Sequence, residues 1–166
     1  MRNAFLTVTD LAYRALRVVS VLVLASYFIL VLLQVFFRYV LNESLFWSEE
    51  IVRYGLVWGV MLGSALVGYD RAHIRIEVIE NFLPPTAKRA VQFVANALTL
   101  AFCIILTWTG IDFVDRTWFQ NSASLGVPMR AVYLSIPVGA ALEAWFMTAA
   151  WMRGDAPAAV ENEAIV

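Results

Sequence analysis

The stretch 38-RYVLNESLFWSEEIVRYGLVW-58 decides how this chain folds. It is the one dense cluster of charge in the first half, and a long apolar run borders it on each side. Before it, 18–37 is apolar apart from Ser20, Ser26 and Gln34; after it, 56–69 is apolar apart from glycines and Ser64. A polar, tryptophan-bearing knot between two such runs reads as a membrane hairpin turning over at the bilayer surface. Glu49 and Glu50 stand four and three residues before Arg53, so a helix places both carboxylates beside the guanidinium. Such pairing lowers the cost of carrying charge into the interface.

The rest of the composition agrees with a membrane setting. The chain has 166 residues, 61% hydrophobic and only 15% charged, whereas a soluble domain carries about a quarter charged residues. The apolar residues fall in runs of about 20, the length that crosses a bilayer as a helix. A net charge of −1 offers no basic patch to neutralise phosphates, which argues against a nucleic-acid partner. Cys103 is the single cysteine, which excludes an intramolecular disulfide and a cysteine-based metal site; it reads as a small buried hydrophobe. Arg2, Arg14 and Arg17 precede an apolar run too long for a signal-peptide core, and no small-x-small site follows it. A retained first helix is expected.

These runs predict an all-α integral membrane protein with four transmembrane helices in a domain 18–153, spanning about 18–40, 47–69, 87–113 and 130–152. Residues 1–17 are expected as an amphipathic segment on the cytoplasmic surface. Ser48, Glu49 and Glu50 suit the first turn of the second span, where a capping hydroxyl and negative charge are favoured. Gly55, Gly59 and Gly63 repeat every four residues, lining one helical face for close approach of another helix. Around His73 and Glu77, apolar and charged residues interleave in 70–83, which predicts an interfacial amphipathic helix ended by Pro84 and Pro85. Pro137 is expected to kink the fourth span. The Ala-rich acidic tail 154–166 is expected to be disordered.

Basic residues set the topology. Arg2, Arg14, Arg17, Arg71, Arg75, Lys88, Arg89 and Arg153 lie on one side of the spans, against Arg38, Arg53, Arg116 and Arg130 on the other. The positive-inside rule then puts both termini in the cytoplasm and the 38–58 knot at the outer face.

No catalytic constellation is visible. His73 is the only histidine, which excludes bis-histidine haem ligation within the chain. No metal-ligand pair has helical spacing, and no serine has a histidine partner. Neither a cofactor nor enzymatic activity is expected. His73 reads as a solvated interface residue, with pH sensing or partner binding as the sharper alternative. Glu143 is the one clear charge in mid-span, and leaving it unpaired there costs a few kcal/mol on insertion scales. It has three outlets: protonation, a bond to Asn96 of the third span, or a partner subunit. A self-sufficient proton-coupled transporter would use Glu143 as its coupling acid, and an orphan membrane-assembly protein is a further alternative. The small multidrug exporters resemble the chain in size but carry a key acid in the first span, which this chain lacks.

The residues Arg38-Tyr39-Val40-Leu41-Asn42, Ser44, Trp47-Ser48-Glu49-Glu50 and Arg53 resemble the signature of the small membrane subunit, DctQ type, of tripartite ATP-independent periplasmic (TRAP) transporters. The resemblance continues through Gly68, His73-Ile74 and Glu77, then Leu125-Gly126-Val127-Pro128, Tyr133 and Ile136-Pro137-Val138-Gly139, covering about 30–140. Glu77 stands where the family commonly has aspartate. The resemblance implies a non-catalytic scaffold for a large multi-span, sodium-driven elevator subunit. The solute, an organic acid or related compound, would arrive on a periplasmic solute-binding protein, which this subunit would help to dock. In that setting Arg38, Asn42, Trp47, Glu49, Glu50, Arg53 and Trp58 become candidates for an ion-pair and anchoring cluster at a subunit interface. The plainer alternative is that they position only their own hairpin.

Overall fold

A computed structural model describes residues 2–43, 45–70 and 84–153. The described residues form five helices: α1 Arg2–Tyr39, α2 Phe46–Asp70, α3 Pro85–Arg116, α4 Met129–Tyr133 and α5 Ser135–Arg153. Four segments are long and apolar enough to cross a membrane: Phe5–Tyr39, Phe46–Asp70, Ala90–Arg116 and Met129–Arg153. The protein is thus all-α, with four candidate spans, as the hydropathy pattern predicts. Its two ends differ. The α1–α2 and α3–α4 connections share the loop end; Asp10, Asp70 and Arg153 share the termini end.

Each boundary has a local cause. No glycine or proline interrupts 2–39, so the segment expected as 1–17 and the first span run on as one helix, α1. Asn42 turns the chain with φ at +53°, a left-handed conformation that asparagine tolerates better than most residues. Ser48 does not cap α2 as expected; it lies inside the first turn, fully buried, with its hydroxyl donating to the Leu45 carbonyl at 2.6 Å. Pro85 opens α3, where a missing N–H costs nothing. The fourth span divides at Leu134 into α4 and α5. Pro137 lacks the N–H that would bond the Tyr133 carbonyl, and the helical run breaks at Leu134, next to that carbonyl. Residues 71–83, with His73 and Glu77, and the tail 154–166 lie outside the described residues.

Packing centres on the seam between α2 and α5. Ala65, Ala140, Phe146 and Ala149 are fully buried there or beside it, and small residues let the two backbones approach. A Cβ added at Gly139 would meet the Met61 Cβ at 2.6 Å and its carbonyl oxygen at 3.0 Å. Gly110 of α3 does the same against Pro137, at 3.0 Å. Of the glycines singled out from the sequence, only Gly55 serves this purpose: a Cβ there would strike the Tyr27 ring of α1. Gly59 and Gly63 have nothing within 4 Å of that position. α1 stands apart from the seam. None of its most apolar window is buried, against 39% of the window in Met129–Arg153.

Candidate functional site

The knot and the α3–α4 connection close on each other at the loop end, through residues 74 and 75 positions apart in sequence. In the connection, the Ser122 N–H bonds the Val127 carbonyl at 2.9 Å and the Met129 N–H bonds the Gln120 carbonyl at 2.8 Å. Gly126 turns this small hairpin with φ at +65°, where glycine carries no steric cost. The turn leaves two consecutive N–H groups pointing at α2. Glu50 accepts both, from Ser124 and Leu125, each at 3.2 Å, with the Ser122 hydroxyl also bonded to it. Charge-assisted bonds of this kind are the stronger class. A second tie lies two turns along α2, where Trp58 Nε1 donates to the Ala131 carbonyl at 3.2 Å. Arg130 then lies over the Trp118 ring, Cζ to centroid 4.0 Å.

This geometry corrects the expected ion-pair cluster. Among the described residues, the ion pairs are Arg116–Asp112 and Arg153–Asp10, so no pair among Arg38, Glu49, Glu50 and Arg53 closes to salt-bridge distance, although the Arg53 charge still favours the Glu50 carboxylate. Glu50 is drawn off by the loop amides. Glu49 accepts a long bond from Gln34 Nε2 of α1 at 3.4 Å. Arg38 is exposed in the last turn of α1, where a cation suits the helix dipole, and lies 5.9 Å from the Tyr39 centroid. Arg53 is exposed. Asn42 acts through its backbone, half-buried Trp58 through its bond to Ala131, and Trp47 is 43% exposed.

Glu143 is buried and accepts a bond from the Ser64 hydroxyl of α2 at 2.7 Å. The sequence offered Asn96 as one of three outlets for this charge. That residue lines a small cavity with Leu100, Met147, Thr148 and Trp151, about one turn of α5 beyond Glu143.

At the termini end the structure assembles a hub that sequence reasoning missed. Arg153 bonds the Asp10 carboxylate, donates to the Tyr69 hydroxyl at 2.6 Å, and reaches the Leu6 carbonyl at 3.4 Å. Tyr69 donates to Asp10 at 2.5 Å, and Tyr13 donates to Asp70 at 3.0 Å. The two tyrosine rings stack 3.9 Å apart, with Phe146 edge-on to both. α1, α2 and α5 are thereby joined. The only hint in sequence was an acid, Asp10, on an otherwise arginine-bearing segment. Arg153→Ala is expected to lower stability by about 1–2 kcal/mol, the low end for charge-assisted bonds because Asp10 is partly exposed. Arg153→Lys should restore only part of it, since a lysine cannot span two acceptors as a guanidinium does. Thermal midpoints in detergent check both; an unchanged Ala variant would contradict the hub.

Comparisons with known proteins bear on what this arrangement serves. A family model described as "Tripartite ATP-independent periplasmic transporters, DctQ component" matches residues 27–156. Two proteins of Haemophilus influenzae named as TRAP transporter small permease proteins are similar to the chain. One is 28% identical over 129 residues, 74% of this chain and 76% of that protein. The other is 26% identical over 136 residues, 82% of each. The isethionate TRAP transporter permease protein DctMQ of Oleidesulfovibrio alaskensis is 27% identical over 100 residues, 59% of this chain but only 16% of that much longer protein.

Proposed function

The chain belongs to the DctQ component family of tripartite ATP-independent periplasmic transporters, a small permease subunit of the bacterial inner membrane and not an enzyme, and from that membership we propose that it is the static scaffold of a sodium-driven complex. Its partner is a large multi-span permease whose elevator-like motion carries an organic acid or related solute, delivered by a periplasmic solute-binding protein. Both termini lie in the cytoplasm, and the loop end faces the periplasm. The relative in which the matching segment is 16% of a longer permease chain supports a large partner, because there the two parts travel covalently joined.

The observation that carries the scaffold role is the placement of Glu143. A carboxylate that coupled transport would line a path open to ions or solute. This one is buried between α2 and α5 and bonded to Ser64, where it ties two helices of a rigid seam. Glu143→Gln keeps a hydrogen-bonding carbonyl at the same reach, so solute uptake in the native host is expected to stay at the wild-type rate. Loss of uptake with normal assembly would make Glu143 a coupling acid and defeat the scaffold reading. Partner identity is tested by pull-down of the tagged chain from native membranes. A stoichiometric large permease supports the proposal; the chain alone, or only its own oligomer, overturns it.

A further inference from the structure

α1 turns a polar series inward. From 13 to 37, two sets of residues are half-buried and every other residue is exposed. The first set is Tyr13, Ser20, Tyr27 and Gln34; the second is Leu16, Val23, Leu30 and Phe37. Each set repeats every seven residues, and the two alternate in steps of three and four, the spacing of a helix seam. The outward side carries no such mark. Between 18 and 37 its one polar group is Ser26, whose hydroxyl bonds the Leu22 carbonyl at 2.7 Å.

The polar set meets α2 at three levels. Tyr13 donates to Asp70 at 3.0 Å, and Gln34 donates to Glu49 at 3.4 Å. Between them the Tyr27 ring occupies the place where a Gly55 Cβ would stand. From Tyr13 through Tyr27 to Gln34, α1 advances 14 and then 7 residues, while α2 retreats 15 and then 6, from Asp70 through Gly55 to Glu49. One antiparallel register therefore satisfies all three contacts. The Ser20 hydroxyl is buried and has no partner among the described residues, so it costs stability where it sits.

This polarity decides something that apolar packing cannot. In lipid, an apolar side chain gains little by leaving hydrocarbon for another apolar side chain, and helices associate through shape and polar contact. The outward side of α1 is at least as apolar as its seam, so hydrophobicity does not select which side meets α2. A polar residue at a seam position selects one register, at a cost in stability. We infer that Tyr13, Ser20, Tyr27 and Gln34 form a key that fixes the rotation and depth of α1 against α2, so that the same side of α1 stays outside the bundle in every copy. The inference rests on these contacts and not on the transport role.

Disulfide formation in the whole chain, in phospholipid nanodiscs with copper phenanthroline, tests it. Cys103→Ala supplies the background. Gly59→Cys has open space around its side chain and, by the register through Tyr27 and Gly55, stands level with Val23. It is paired in turn with Val23→Cys and with the exposed neighbours Leu22→Cys and Leu24→Cys, each turned about 100° away on the helix. The 23–59 pair is expected to close several-fold faster than the 22–59 and 24–59 pairs. Tyr13→Phe, Ser20→Ala, Tyr27→Leu and Gln34→Leu together leave the apolar run intact, so α1 should still insert, and the three rates are expected to become similar. Should that variant give no folded peak in size exclusion, Tyr13→Phe with Gln34→Leu, which removes only the two hydrogen bonds at the ends, is expected to narrow the same preference. An undiminished preference for 23 in both variants would mean that shape or the α1–α2 turn sets the rotation. A joint fall of all three rates would mean that the series supplies adhesion and not direction. Either result overturns the inference, as would equal rates for the three pairs in the otherwise unaltered chain.

Discussion

Gly139→Val is expected to leave little folded protein in a detergent extract, whereas Gly59→Val should be nearly silent. The two glycines differ in what lies opposite. At 139 even a Cβ would come within 2.6 Å of the Met61 Cβ and 3.0 Å of the Met61 carbonyl oxygen. The oxygen belongs to the α2 backbone and cannot turn aside alone; the whole helix must retreat. Overpacking of this kind costs about 1–3 kcal/mol, or more where the backbone must shift. Retreat would also stretch the Ser64–Glu143 bond three residues further along α2, leaving a buried carboxylate short of a donor. At 59 the same Cβ meets nothing within 4 Å. Gly55→Val is expected to fall near Gly139→Val, since it drives out the Tyr27 ring that sets the α1–α2 crossing. Fluorescence-detected size exclusion and thermal midpoints rank the three. Equal damage at 59 and 139 would show that helix propensity, rather than the seam, is responsible.

That contrast shows what hydropathy and spacing reveal and where they stop. Four spans, the knot between the first two and an interruption of the fourth near its proline were legible, because each rests on residues acting locally: apolar runs of bilayer length, or a ring lacking an N–H. The glycine stripe was legible as a face but not as a contact. Spacing groups Gly55, Gly59 and Gly63 on one side of α2, yet only the first of them lies against an α1 side chain, the Tyr27 ring. Gly139 and Gly110, which hold the bundle together, have no repeat to mark them. Charge behaved alike. The spacing of Glu49, Glu50 and Arg53 does bring them together on α2, but local proximity lost to a better acceptor geometry from far along the chain. Two adjacent amides of 120–129 converge on Glu50, and no pattern within either stretch announces that meeting. The hub of Asp10, Tyr13, Tyr69, Asp70 and Arg153 went unseen for the same reason: its members come from three helices and share no motif.

Glu50→Lys is expected to leave membrane insertion intact and to abolish co-purification of the large permease. Nothing in the bundle seam touches Glu50, so the four spans should still pack. The lysine brings three donors to face two donors, Ser124 and Leu125 N–H, and adds a like charge beside Arg53. The connection 120–129 can then no longer lie against α2. It presents the surface around Trp118, Phe119 and Arg130, so freeing it disorders the loop end that a periplasmic-side partner would meet. Glu50→Gln should be intermediate, because its amide oxygen still accepts from one N–H while the charge is lost. Hydrogen exchange supplies a readout independent of the partner: the Ser124 and Leu125 amides, protected in the wild type, should exchange as open-loop amides in the lysine variant. Slow exchange retained in Glu50→Lys would mean that the loop hairpin holds itself. Fast exchange with the permease still bound would place the subunit interface elsewhere, with α1, whose apolar surface the chain itself leaves uncovered, as the next helix to vary.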